Sequence, residues 1–211
     1  MNALFKEYKD LSLNALQEKF YEACKSGELD KVRYLLTSPE LPYNANIFRH
    51  EGDALICAVN NLHYHIIDYL LNSPELKENL SIHTQHDFAI IQACENGDTE
   101  MVRYLLTSPT LKEHSDIHAK GNVSYYAKDR PFMMAYICER MEVLEYLILD
   151  YKIPKTESIT KIINFDNKSI KQNIEHMFKI RDEIIGLHKE IKEELNKEVS
   201  KVEVMHKRIK I

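Results

Sequence analysis

Apolar residues recur at helical spacing along most of the chain, and whole blocks of that pattern return at a fixed interval. Leu13, Leu16, Phe20 and Ala23 fall three or four apart behind Ser12, which turns one face of a helix to the interior. The clearest block is residues 92–109, Gln-Ala-Cys-Glu-Asn-Gly-Asp-Thr-Glu-Met-Val-Arg-Tyr-Leu-Leu-Thr-Ser-Pro. It predicts a helix ending at Gly97, a second helix capped by Asp98 or Thr99, and a stop at Ser108-Pro109. Glycine tolerates left-handed geometry, and proline disfavours helix at the residue before it. Residues 23–39 repeat the block closely, residues 58–74 keep Tyr69-Leu70-Leu71 in register, and residues 135–150 form a looser copy.

The interval carries its own information. Tyr34, Tyr69 and Tyr104 lie 35 residues apart, and Tyr146 follows after 42. Small residues recur at Ala23, Ala58, Ala93 and Ala135, where adjacent helices must approach closely. Val32, Ile67, Val102 and Leu144 are expected to face the next unit. A fixed period of helix, turn, helix and connector predicts an all-α solenoid whose units touch mainly their neighbours. The units fall near residues 13–48, 49–83, 84–118 and 126–155, with a partial cap at 156–164, so that residues 1–164 make one repeat domain. The seven surplus residues before Tyr146 lie in 120–129, a polar, glycine-bearing loop with two adjacent tyrosines. The Ser-Pro pairs at 38–39, 73–74 and 108–109 predict an extra helical turn, with serine as cap and proline at the first position.

From Lys168 to about Ile209 the pattern becomes one long amphipathic helix, the core of a second region at 165–211. At 1.5 Å per residue it spans about 60 Å. Its stripe includes Ile184, Leu187, Ile191, Leu195, Val199 and Val202, spaced in threes and fours with a stutter rather than a strict heptad. Such a stripe needs a surface: another copy of itself, the repeats, or a foreign partner. Oligomerisation through these six residues, in the manner of a coiled coil, is the expectation. Gly186 costs about 1 kcal/mol against alanine inside a helix and is the predicted kink or break.

Ala-Cys-x-x-Gly at residues 23–27 and 93–97, followed by an outer helix with Tyr-Leu-Leu, resembles the Ala-Ala-x-x-Gly-His-Leu-Glu-Val-Val-x-Leu-Leu core of ankyrin repeats. The resemblance covers residues 13–164, about four repeats. The family's Thr-Pro-Leu-His opening is replaced by Asp53-Ala54-Leu55-Ile56, Phe88-Ala89-Ile90-Ile91 and Arg130-Pro131-Phe132-Met133, so these units should rely more on apolar contact. This variety is similar to divergent ankyrin proteins of bacteria and large viruses. The resemblance implies docking of a protein partner on the concave side, at connector tips and at the ends of the inner helices. Carried over by position, the tips are Arg49, His50 and Gly52, then Thr84, Gln85 and Asp87, then Tyr126, Ala127 and Asp129. The helix ends are Lys25 and Ser26, then Asn60 and Asn61, then Glu95 and Asn96, then Ile137 and Cys138, the last pair breaking the polar trend. Phe48, Arg49, Tyr125 and Tyr126 stand out because aromatic and arginine anchors dominate interface energies.

Composition narrows the function. A net charge of −5 argues against a general nucleic-acid binder, which shows a basic balance. The tail from Lys168 has 11 Lys/Arg against 8 Asp/Glu, interspersed as on a solvated helix face. The first eight residues lack the apolar core of a secretory signal, and no run approaches the roughly 18 to 20 apolar residues of a membrane span. The four cysteines form no Cys-x-x-Cys pair, and Cys24 and Cys94 occupy the same place in two units, as small buried residues do. A cytoplasmic setting is expected, the host's cytoplasm if the source is a virus or a bacterial effector.

Candidate chemistry is sparse. His83 and His118 each follow isoleucine at equivalent positions and are expected to bond their own connectors, while His63 and His65 lack the ligand spacing of a zinc site. No phosphate-binding glycine loop, nucleophile elbow or Cys/His dyad occurs. We therefore expect no catalytic residue, metal, cofactor or small-molecule substrate. The expected function is non-catalytic capture, bridging or sequestration of a protein partner by the repeats, with the C-terminal helix mediating oligomerisation or a second contact. A homo-oligomeric scaffold is the alternative reading, and an enzyme whose site is invisible in the sequence is a remote one.

Overall fold

The computed structural model describes residues 3–121, 128–165 and 170–209, and among these the chain forms helices and no strand. It divides into two compact units, Met1–Leu144 and Glu145–Ile211. The division falls inside the fourth sequence block rather than at residue 164.

The first unit opens with α1 (Ala3–Tyr8), α2 (Leu13–Ser26) and α3 (Leu29–Thr37). Ser12 caps α2 by accepting a hydrogen bond from the Ala15 amide, and Gly27 ends it at φ 77°. There follow α4 (Asp53–Asn60), α5 (Tyr64–Asn72), α6 (Thr84–Asn96), α7 (Thr99–Thr107), α8 (Arg130–Ile137) and the short α9 (Met141–Glu145). The helices come in pairs, α2 with α3, α4 with α5 and α6 with α7. The first helix of each pair also packs on the first helix of the next, α2 on α4, α4 on α6 and α6 on α8. Ala23, Ala58, Ala93 and Ala135 all lie buried in those first helices, so no larger side chain holds the axes apart. Val32, Ile67, Val102 and Leu144 are fully buried in the second helices, each contributing about 1.5–3 kcal/mol of apolar burial.

The 35-residue period also appears in hydrogen bonds between pairs. Arg33 on α3 forms a bidentate pair with Glu75, which follows α5. The position 35 residues on from Arg33 is Asp68, which accepts from Tyr104 Oη at 2.9 Å and from Thr110 Oγ1 at 3.0 Å. Thr110 stands in turn 35 residues beyond Glu75, so one geometric link is made first by an ion pair and then by neutral donors. Burial, reinforced by the hydrogen bond to Asp68, pushes the Tyr104 phenol up from its ordinary range.

The Ser-Pro stops differ from expectation. None begins a helical turn. Ser38, Ser73 and Ser108 are extended, with ψ of 124°, 130° and 127°, and each hydroxyl accepts from the amide two residues on, closing a tight turn instead. Asn44, Asn79 and His114, six residues after each serine, reach back to its carbonyl at 3.1, 2.9 and 2.9 Å and close the loop. Asp98 precedes α7 without a side-chain cap bond.

The second unit contains a wide helical turn at Tyr146–Asp150, α10 (Glu157–Phe165) and α11 (Lys171–Ile209). α11 packs on the 146–150 turn. Arg181, itself buried, donates to the Ile153 carbonyl and stacks over Phe178 at 4.8 Å. α11 runs through Gly186 without interruption, so the helix does not break there.

Candidate interaction surfaces

The first helices end in a repeated left-handed residue: Gly27 at φ 77°, Leu62 at 59°, Gly97 at 87° and Glu139 at 56°. A left-handed residue turns the chain sharply enough to start the second helix of the pair. Two of the four bear side chains, at about 1–2 kcal/mol each in backbone strain. Leu62 is both strained and 44% exposed. Sequence reasoning passed over it, although its place is that of glycine in the neighbouring units.

The carbonyls at these helix ends are satisfied by the next pair. His63 Nε2 lies 2.9 Å from the Lys25 carbonyl and His65 Nε2 3.0 Å from that of Gly27, while Arg140 Nε donates to Glu95 O at 2.7 Å. Asn96 donates to Asn60 Oδ1 at 3.1 Å, and Asn61 caps its own helix through the Cys57 carbonyl at 2.8 Å. The expected helix-end residues thus lie together as a polar row. Lys25, Asn60 and Asn96 are exposed, and Asn61 and Glu95 are half-buried. The row ends in Ile137, 49% exposed and apolar.

The connector tips are more heavily committed to the fold. Phe48 and His50 are exposed and Arg49 is half-buried, its guanidinium donating to Asn14 Oδ1 at 3.2 Å. His50 and Glu51 sit at φ 50° and 55°, and Gln85, His86 and Asp87 at 51°, 57° and 62°. Hydrogen bonds from one tip to the next hold these conformations. Thr84 Oγ1 donates to Glu51 O at 2.7 Å, and Gln85 Nε2 donates to His50 O at 3.1 Å and to Asp53 Oδ1 at 2.8 Å. Asp87 and Asp129 are buried rather than displayed, which removes their side chains from any docking face. Asp87 accepts from His83 Nδ1 and from the Asp116 amide, both at 2.8 Å, and Asp129 accepts from His118 Nδ1. His83 and His118 therefore bond connector carboxylates. The His-x-x-x-Asp spacing of 83 and 87 was the readable signal. Tyr125 and Tyr126 lie outside the described residues.

On α11, Ile184, Leu187, Ile191, Leu195 and Val199 are all exposed. Val202 lies on the helical backbone, outside the described side chains.

Among the described residues no three His, Cys, Asp or Glu side chains are grouped to hold a metal. Burial pushes the Cys24 and Cys94 thiols well above their ordinary range, which suppresses the nucleophilic thiolate. No described helix is long and apolar enough to cross a membrane. An open depression of about 600 Å³ is lined by His83, His86, His118, Lys120 and Lys128, but its two carboxylates already have partners: Asp87 accepts from His83 and the Asp116 amide, and Asp116 accepts from the His118 amide. No protein-family model matches the chain, and no curated protein or solved structure matches it either.

Proposed function

We propose that the chain is a non-catalytic protein-binding protein, an ankyrin-type solenoid that presents the ends of its inner helices to a partner. One observation carries the reading: the row Lys25, Asn60, Glu95 and Ile137 occupies one position in successive helix pairs, open to solvent to differing degrees. The 35-residue period, the packing of first helix on first helix and the buried alanines support the solenoid. The row supplies cation, amide, carboxylate and apolar contacts in order along one line, which suits an extended peptide or a flat protein surface. Leu62 and Ile137 are its apolar anchors. The tips at Phe48–His50 flank it, and the committed bonds of Thr84 and Gln85 keep the flank rigid, which lowers the ordering cost of binding.

The test uses the full-length chain as bait in extract from its native cell, beside a Lys25→Ala/Asn60→Ala/Leu62→Ala/Ile137→Ala variant. The expected result is a partner retained by the first and lost by the second, with melting temperatures within a few degrees. A partner retained equally by both would overturn the assignment of the row. Recovery of none would overturn the binding function.

A further inference from the structure

The buried face of α11 stops at Arg181. Ile174, Phe178 and Arg181 are buried, whereas every residue from 182 to 199 is exposed. Leu187, Ile191 and Leu195 expose 58–61% of their surface on one side of that exposed stretch. Isolated helices rarely hold together without a packed face, so this length of helix calls for a cover.

The order of residues identifies the cover. The apolar positions are close to palindromic about Leu195. Ile191, Leu187 and Ile184 lie 4, 8 and 11 residues before it, and Val199, Val202 and Met205 lie 4, 7 and 10 after it. The charges on one flank are placed symmetrically and inverted in sign. Glu194, Glu190 and Glu183 lie 1, 5 and 12 residues before Leu195, and Lys197, Lys201 and Arg208 lie 2, 6 and 13 after it. At about 100° per residue all six fall within roughly 60° of arc, so they form a single edge of the stripe.

We infer that α11 is a dimerisation element: two copies of this chain pair antiparallel through the stripe centred on Leu195. Reversing the helix against itself sets Leu195 on its own counterpart, Ile191 on Val199, Leu187 on Val202 and Ile184 on Met205. The same reversal sets Glu194 against Lys197, Glu190 against Lys201 and Glu183 against Arg208, each twice by the two-fold axis. A same-direction pair would set this edge against the opposite one and leave the inverted symmetry without a role. From Ile184 to Val202 the stripe covers eighteen residues in five steps, the 3.6 spacing of a straight helix, so the pair supercoils little. The seam from residue 180 to 209 is about 45 Å long, roughly four heptads, enough for a stable pair. The inference stands on α11 alone and is independent of the repeat surface.

Light scattering on the full-length chain at about 20 μM is the first test, and a mass of twice 24.8 kDa is expected. The second test compares E183K/E190K/E194K, which makes the edge wholly basic, with K197E/K201E/R208E, which makes it wholly acidic. Each alone is expected to self-associate at least tenfold more weakly, and an equimolar mixture is expected to restore the dimer as a heterodimer. Recovery in the mixture also shows that each variant helix remains competent to fold. A monomeric parent chain would overturn the dimer. A dimeric parent whose two variants still pair with themselves at parental strength would overturn the antiparallel register.

Discussion

Replacing Gly97 by alanine tests how one helix pair holds the next. Gly97 ends α6 at φ 87°, and a Cβ there would lie 2.8 Å from Arg140 Cδ. That arginine packs across the glycine so that its Nε can reach the Glu95 carbonyl at 2.7 Å. Gly97→Ala therefore meets two costs. Alanine in left-handed geometry costs about 1 kcal/mol relative to glycine. Displacing Arg140 forfeits a hydrogen bond at an exposed helix end, about 1 kcal/mol more. The single substitution should destabilise by about 2 kcal/mol, and Arg140→Ala alone by about 1 kcal/mol. With Arg140 already truncated the obstacle is gone, so Gly97→Ala then costs only the backbone term and the double variant loses about 2 kcal/mol rather than 3. Urea unfolding followed by circular dichroism at 25 °C would measure all four corners of the cycle. Additivity within about 0.3 kcal/mol would refute the argument, because it would mean Arg140 does not occupy the space above Gly97 in solution.

The Arg33–Glu75 link predicts a pH dependence. The Arg33 guanidinium holds the Glu75 carboxyl below the usual carboxylate range. A lowered folded pKa contributes stability that is fully present above the unfolded value of about 4.3 and is lost as pH falls through the folded one. Thermal melts between pH 2 and 6 should therefore show a steeper acid loss in the parent than in Glu75→Gln, and parallel curves would remove the link. In α11, a Cβ at Gly186 would meet no other atom within 4 Å, and the helix passes through the glycine unbroken. Gly186→Ala should stabilise the helix by about 1 kcal/mol, raising its melting point without changing the mass of the assembly. A lowered melting point would show that the glycine serves a bend.

Local chemistry was readable where a residue acts through its own backbone or its own helix face. Gly27 and Gly97 end helices because a Cβ is unwelcome at positive φ, and Ser12 caps because its hydroxyl reaches the Ala15 amide. The connectors were harder. Ser38-Pro39 has the composition of a helix start, yet the Ser38 hydroxyl accepts from the Glu40 amide and its carbonyl from Asn44, which closes a turn instead. Asp87 and Asp129 look like displayed tip residues in one dimension, and they are buried because His83 and His118 fold back over them.

The sequence by itself determined the periodic helix pairs, their small close-contact residues and the stripe along α11, because each follows from spacing along a single helix. Only the tertiary structure decided which polar side chains remain open to solvent. It set Thr84 and Gln85 to join neighbouring tips, held Leu62 at the positive φ that glycine takes in the two adjacent units, and drew the unit boundary inside the fourth block. The tip bonds join residues 32 to 35 apart in the chain, at distances along the sequence where no local pattern specifies which donor meets which acceptor.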